Sequence, residues 1–416
     1  MRLSNFKLIK IRKLEVPFLV WMVLGSTLIA NVIEFPIFGR NMSGWAWVVP
    51  LVISIFVIVR RPSRITFPVR LWAPWICIVV FYFLDSGFSY PQRNMMLLSS
   101  IIVGMAVSTG TIWEFQIKDF LVFIRCFVYF LFLTVIIRTG LLFTGVLPGT
   151  TGFAPQSMTA ALLCSIFAVE YSNNRKSSLV HWITGVAMPV IALTRTAIAA
   201  TGITLPFTFA PLKIKKRFIF LMIVAVLGVT LFYTERVQRK MFYSGAGNIQ
   251  DIRLSNPDFF TTGRARLWDL MMEEIKAKPW LGHGTNAQEE FIFKYVGFYG
   301  QPHNDWIRLL FDYGCLGTFV FALCLVLQTF HAWSKTRGTT GGTRILFYAG
   351  ASSFLPFVLF MFTDNIVLYV SFFGNLHFAI LGMAYGSLKT SMRDAAWYQY
   401  QAHLSSLYKI NDSSKT

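Results

Sequence analysis

Apolar runs long enough to cross a lipid bilayer dominate this sequence and constrain its fold more than any other feature. The stretch "FVYFLFLTVII" at 127–137 is typical. About 20 such residues, wound as a helix, span the hydrocarbon core. About twelve candidate spans fall at 16–37, 44–60, 67–84, 95–111, 119–138, 153–170, 179–194, 196–211, 218–234, 306–331, 345–362 and 365–388. The fourth is weak, and only "LTRTA" separates the seventh from the eighth. About eleven or thirteen spans are therefore the alternatives. The expectation is an all-α polytopic membrane protein, residues 1–416 forming a single integral membrane domain. The N-terminal segment has the basic and apolar parts of a signal peptide. Its apolar part runs on to about Phe38 with no small-residue cleavage site, so a first transmembrane helix is expected.

Composition agrees with lipid as the solvent. Charged residues make up 14% of the chain, where a soluble domain carries about 25%, and mean hydropathy is +0.56. The net charge of +19 would suggest nucleic acid in a soluble protein. Here the cations sit in short clusters between apolar runs, which is the pattern of topology signals and headgroup contacts, so membrane lipids and not nucleic acid are the expected partners. Cys77, Cys126, Cys164, Cys315 and Cys324 lie inside apolar segments without ligand spacing, and imply neither disulfides nor zinc.

Basic residues orient the spans. With the N-terminus inside, the cytoplasmic segments hold 23 Lys and Arg, against four (Arg40, Arg93, Arg138, Arg195) in the short outer turns. By the positive-inside rule both termini are cytoplasmic. Residues 235–305, between the ninth and tenth spans, then form one large loop on the outer face. Within it "TTGRARLWDLMMEEIKAKPW" repeats apolar residues at helical spacing, with Thr261 or Thr262 to cap and Pro279 to close. Ordered loops of this length usually carry function.

Several polar groups fall on that same outer face. Arg195 stands at the join of spans seven and eight, Arg264, Arg266 and His303 lie in the loop, and Asp364-Asn365 occupy the turn before the last span. A charge at membrane depth is costly and points to function by default. Plainer readings exist: Arg195 could snorkel to the interface, Asp364 could pair with it, and His303 could be an interfacial histidine. Arg264 opens the loop helix, where free N–H groups and the dipole already favour an anion. A guanidinium there suits phosphate, because its planar fork grips two oxygens. His303, ahead of the tenth span, can accept a proton from a hydroxyl as a general base. Asn304 or Asp305 caps the helix that follows, and Arg308 lies one turn on. No carboxylate or histidine cluster has metal-ligand spacing, so neither a metal nor another cofactor is expected, and no Gly-rich phosphate loop is present.

These residues resemble a known pattern. "TGRARLWDLMMEEIKAKPWLGHGTN", followed after a short gap by "PHNDWIRLLFDYGCLG", is similar to the signature of the O-antigen ligase/polymerase superfamily. The shared features are Gly263-Arg264, Trp268, the run Pro279 to Gly284, His303-Asn304 and, loosely, Gly314 to Gly317; "LTRTA" is similar to the family's arginine-bearing turn. His283 departs from the pattern, which more often has a small or aliphatic residue between the glycines. The resemblance implies a membrane glycosyltransferase at the periplasmic side of a bacterial inner membrane, taking its glycan from undecaprenyl pyrophosphate. Arg195, Arg264 and Arg266 would hold the pyrophosphate. His303 would activate the acceptor hydroxyl or help hold the donor, with Asn304, Asp305, Arg308 and Asp364 in support. Displacement by that hydroxyl would invert the anomeric centre without a metal. The resemblance leaves open whether lipid A–core accepts the glycan, as in a ligase, or another lipid-linked unit does, as in an O-antigen or exopolysaccharide polymerase. The ligase is the preferred expectation. A transporter would show two similar halves, and no repeat is evident.

Overall fold

The computed structural model describes residues 15–32, 36–37, 40–41, 44–145, 154–253, 256–259, 264–297 and 300–390. The basic N-terminus, the expected caps Thr261 and Thr262, Gly263 and the last 26 residues, 391–416, lie outside them. The regular structure of the described residues is helical apart from one antiparallel pair of two-residue strands, β1 (Pro36–Ile37) and β2 (Arg40–Asn41), and an isolated bridge between Phe242 and Phe259. In chain order come α1 (Phe18–Val32), α2 (Val48–Arg60), α3 (Ala73–Asp85), α4 (Pro91–Ser108), α5 (Glu114–Phe143), α6 (Ala154–Ser172), α7 (Ser178–Ile191) and α8 (Arg195–Gly202). Next are α9 (Ile214–Phe232), α10 (Glu235–Met241), α11 (Arg264–Ala277), α12 (Ala287–Val296), α13 (Asp305–Lys335), α14 (Gly341–Ser352) and α15 (Phe354–Met361). A last helix, α16, runs over 374–390.

Among the described residues three helices are long and apolar enough to cross a membrane: α5, α13 with the turn after it, and α14 joined to α15. α9 and α10 make a fourth if their 77° bend is taken within one span. α1, α2, α3 and α7 are shorter apolar helices. Apolarity on all sides marks a helix buried among helices or facing lipid, and both cases occur. α6 is enclosed along "MTAALLCSIFAV", every residue of which is buried, and α16 is nearly as enclosed. α9 is the opposite: Phe232 is its one buried residue, and Phe218, Val226 and Leu227 stand exposed.

Two expected spans take a different form. α8 stops after 8 residues, about 12 Å at the α-helical rise, far short of a bilayer. Beyond it, 203–213 is irregular up to the start of α9. Its carbonyls are met by Arg217, whose guanidinium donates to Pro206 O, Ala210 O and Leu212 O at 2.9, 2.9 and 3.2 Å. Non-helical backbone is tolerated inside a membrane protein when its polar groups are satisfied in this way. The last span likewise begins with turns over 362–373 before α16 starts.

α13 is interrupted at Gly314, whose backbone (φ 64°, ψ −172°) leaves the helical region. The break is filled by the segment that follows α11. Cys315 and Leu316 donate their freed N–H groups to Pro279 O and Trp280 O at 2.7 and 3.2 Å, while His283 and Gly284 donate to Phe311 O and Asp312 O at 2.9 Å. A Cβ on Gly314 would strike the Trp280 carbonyl, and one on Gly282 would strike the backbone of 312–314. The two glycine-bearing motifs are therefore the two halves of one backbone contact, which fixes the loop against α13. The His283 ring stacks on Phe311 with centroids 4.6 Å apart, so it fills the apolar role of that position.

Candidate active site at the α8, α11 and α13 helix starts

The starts of α8, α11 and α13 and the turn after α15 meet at one place. α13 is capped by Asn304, whose Oδ1 accepts from Ile307 N at 3.1 Å. Asp305 is buried; its Oδ2 accepts from Val367 N at 2.9 Å, and Oδ1 lies 3.2 Å from Arg308 Nη1. Asp312, also buried, accepts from Asn286 N and Gln288 N, both at 3.1 Å, at the start of α12. Asp305 and Asp312 thus tie α13 to its neighbours, and Arg308, on the same helix, supplies the charge that acts on both carboxylates.

His303 is held above these residues. Trp268 of α11 donates from Nε1 to Pro302 O at 2.7 Å, while Asn304 begins the helix on the other side. Between these ties His303 takes φ 51°, in the left-handed region. A non-glycine residue there costs about 1–3 kcal/mol, and such strain gathers at functional sites. Its Nδ1 lies 3.2 Å from Asp364 Oδ1 and 3.4 Å from Asn365 Nδ2. A carboxylate can only accept, so the shorter contact assigns the proton of the neutral ring to Nδ1, and in that tautomer Nε2 carries the lone pair. The His303 side chain is 37% exposed. Close by, Thr363 Oγ1 and Asn365 Oδ1 are buried with no hydrogen-bond partner among the described residues.

Arg264 reaches the same turn, donating from Nη1 to Thr363 O at 3.1 Å. Burial pulls its guanidinium below the ordinary arginine value, an effect partly offset by the charge of Asp364. Arg195 is lowered too, by burial and then by the charge of Arg264; both stay cationic, since arginine is effectively always protonated. Arg195 also lies over the Phe259 ring at 5.9 Å. It follows Leu193, which is itself left-handed (φ 50°), an outlier for a bulky side chain. The two arginines expected to act together are therefore neighbours, and Asp364, which the plainer reading paired with Arg195, meets His303 and acts on Arg264. Arg266 is exposed on α11 and shares none of these contacts.

Lys240 was not singled out by sequence. Its Nζ donates to Leu193 O at 2.9 Å, and it feels the charges of Arg195 and Arg236. The available signal was Val237 and Met241, apolar at i, i+4 and both buried, which lays α10 along the bundle and brings Lys240 to its edge. Among the described residues no three His, Cys, Asp or Glu side chains gather as a metal site would need.

Among the described residues, a largely helical fold with membrane-length apolar helices has the make-up of a membrane protein, and it sets a cation group beside a histidine–carboxylate pair. Residues 180–322 match the family model described as O-antigen ligase. The resemblance to the O-antigen ligase superfamily is thereby shown, and it supports a ligase-type glycan-transfer function in a membrane. The matched segment contains Arg195, Lys240, Arg264 and His303 and ends before Asp364. No match among curated proteins accompanies it.

Proposed function

We propose that this protein transfers a glycan from undecaprenyl pyrophosphate to a hydroxyl of lipid A–core, on the periplasmic side of a bacterial inner membrane. The observation that carries the reading is the position of Arg264, between Arg195 on one side and the His303–Asp364 pair on the other. Pyrophosphate needs cations where its charge develops as it leaves, and the acceptor needs a base within reach of its proton. In this arrangement the acceptor hydroxyl attacks the anomeric carbon and gives its proton to His303 Nε2. The bond from that carbon to the phosphate oxygen breaks, its electron pair leaving with the pyrophosphate onto Arg264 and Arg195. Attack opposite the leaving group inverts the anomeric centre. Asp364 holds the imidazole in the tautomer that can accept, as a carboxylate does for a catalytic histidine elsewhere. Thr363 and Asn365 offer unmet hydrogen-bonding capacity to sugar hydroxyls. On the twelve-span plan expected from the sequence, with 235–305 as an outer loop and both termini cytoplasmic, these groups would face the side where the acceptor lies; the ligase reading is in keeping with the family match, described as O-antigen ligase.

The test is transfer from a purified undecaprenyl-pyrophosphate glycan to lipid A–core by the protein in nanodiscs, with excess chelator present. Wild type should turn over. Arg264→Lys should lose about 10²–10³-fold, because an ammonium cannot reproduce the two-oxygen grip. A wild-type protein idle in chelator and restored by magnesium would overturn the arginine mechanism, as would a fully active Arg264→Lys.

A further inference from the structure

The cations of the site are not equivalent, and the cavity beside them separates their roles. α7, α8, α9 and α10 surround a cavity of about 750 Å³, within the size range of small-ligand sites. Its walls are apolar, with Ile183, Ala187, Ile198 and Leu231 among them, and its charged lining side chains are Arg195 and Lys240. Arg264 does not line it. That arginine sits beyond Arg195, bonded to Thr363 O beside Asp364. Contacts link these groups away from the cavity: Arg195 and Lys240 line it, Lys240 bonds Leu193 O, Arg264 bonds Thr363 O, and the adjoining Asp364 meets His303.

We propose that Lys240 is a third pyrophosphate ligand: with Arg195 it holds the phosphate attached to the isoprenoid tail, whose first units fill this cavity, while Arg264 holds the phosphate attached to the sugar. The inference rests on the lipid-pyrophosphate donor proposed above and adds a direction to it. Two features support that direction. The cavity joins apolar walls to cations at one end, which fits a lipid whose charge begins where its tail stops. The base lies at the opposite end of the cation row, where the sugar and the acceptor must meet. Lys240 already spends one bond on Leu193 O; an ammonium has three donors, which leaves capacity for phosphate oxygens. A lipid with one phosphate can satisfy Lys240 and Arg195 or Arg264, but not both ends of the row. Lys240 is thus a specificity residue for pyrophosphate over monophosphate, and over the bilayer's own phospholipids.

The experiment measures binding of undecaprenyl pyrophosphate and undecaprenyl monophosphate to the full chain in nanodiscs of defined phospholipid. Wild type should prefer the pyrophosphate. Lys240→Gln, which keeps a donor for Leu193 O but no charge, should lower that preference about tenfold, the effect of one charge-assisted hydrogen bond. Lys240→Arg should retain it. Ala187→Phe, grown into the cavity, should weaken both tailed lipids while inhibition of transfer by inorganic pyrophosphate stays unchanged. An unaltered preference in Lys240→Gln overturns the proposal, as does equal weakening towards both lipids, which marks a purely structural lysine. Unaltered binding of tailed lipids by Ala187→Phe overturns the cavity's role and leaves it to an ordinary phospholipid. If wild type binds no undecaprenyl pyrophosphate, the donor reading itself fails and this inference falls with it.

Discussion

Two arginine environments in this protein show how a buried cation is used. Arg125 on α5 meets Glu170 on α6 through both ends of its guanidinium, at 2.8 Å from Nη2 and 3.3 Å from Nε. Glu170 also accepts from Ser178 Oγ at 2.9 Å. The charges cancel inside the fold, and the pair binds α5 and α6 to the start of α7. Around Arg264 the balance is the reverse. Arg195 has Arg264 as its charged neighbour, Lys240 has Arg195 and Arg236, and the carboxylate near Arg264 is engaged by His303. One region is complete by itself. The other gathers like charges beside one carboxylate, and like charges brought close oppose one another. The difference separates scaffold from site, and function can be lost at the second while the first stays whole.

The largest effect expected from breaking this contrast is at His303. His303→Gln keeps a hydrogen-bonding side chain but cannot take a proton, so transfer should fall about 10²–10⁴-fold. The variant should still bind the donor, because the cations are untouched. Single-turnover transfer and donor binding, measured on the same preparation, check both halves. A rate close to wild type would make His303 a residue that only positions the donor.

Next in size is the unequal response of the two arginines to removal. Arg125→Ala strands the Glu170 carboxylate, whose side chain is 2% exposed. Breaking one partner of such a buried pair costs about 3–5 kcal/mol. Arg264→Ala gives up the bond to Thr363 O and the attraction of Asp364 but relieves the repulsion on Arg195, so its thermal midpoint should fall by less than that of Arg125→Ala while transfer is lost. Thermal unfolding in a single detergent checks the pair. If Arg264→Ala is the more destabilised of the two, the cation group is scaffold after all, and the contrast fails.

The legibility of these regions from sequence follows the range of the forces involved. Helices were readable because lipid demands them wherever an apolar run is long enough, and the gathering of Arg195, Arg264 and His303 followed from signature spacing and charge asymmetry. The cap at Asn304 was offered with Asp305 as its alternative, and local hydrogen bonding decides for Asn304. What sequence could not reach depends on partners distant in the chain. Asp364 was a candidate partner for Arg195, yet it meets His303 across 61 residues. The early end of α8 depends on Arg217 satisfying the irregular backbone behind it. Arg266 has the same chemistry as Arg264, but two positions along a helix turn it to another face, where it is exposed. Lys240 carried a charge no different in sequence from its neighbours, and its bond to Leu193 O and its place on the cavity wall distinguish it.

The smallest effect expected is at Asn304, and it tests where scaffold ends. Asn304 adjoins the histidine, but its side-chain oxygen is spent on Ile307 N, as Arg125 is spent on Glu170. Losing such a cap costs about 1 kcal/mol, so Asn304→Ala should lower the thermal midpoint slightly. The backbone of His303 keeps its other ties, since Trp268 still holds Pro302 O and Asp305 still holds Val367 N. Donor affinity should therefore be unchanged and the transfer rate should fall by only about twofold, well under the 10²-fold floor expected of a lost base. Asn304→Asp, which supplies an equally good cap, should restore the midpoint. If Asn304→Ala instead lowers the rate as far as His303→Gln while the midpoint barely moves, the amide contacts substrate. The site would then extend one residue further along the chain, into what is assigned here to the helix start.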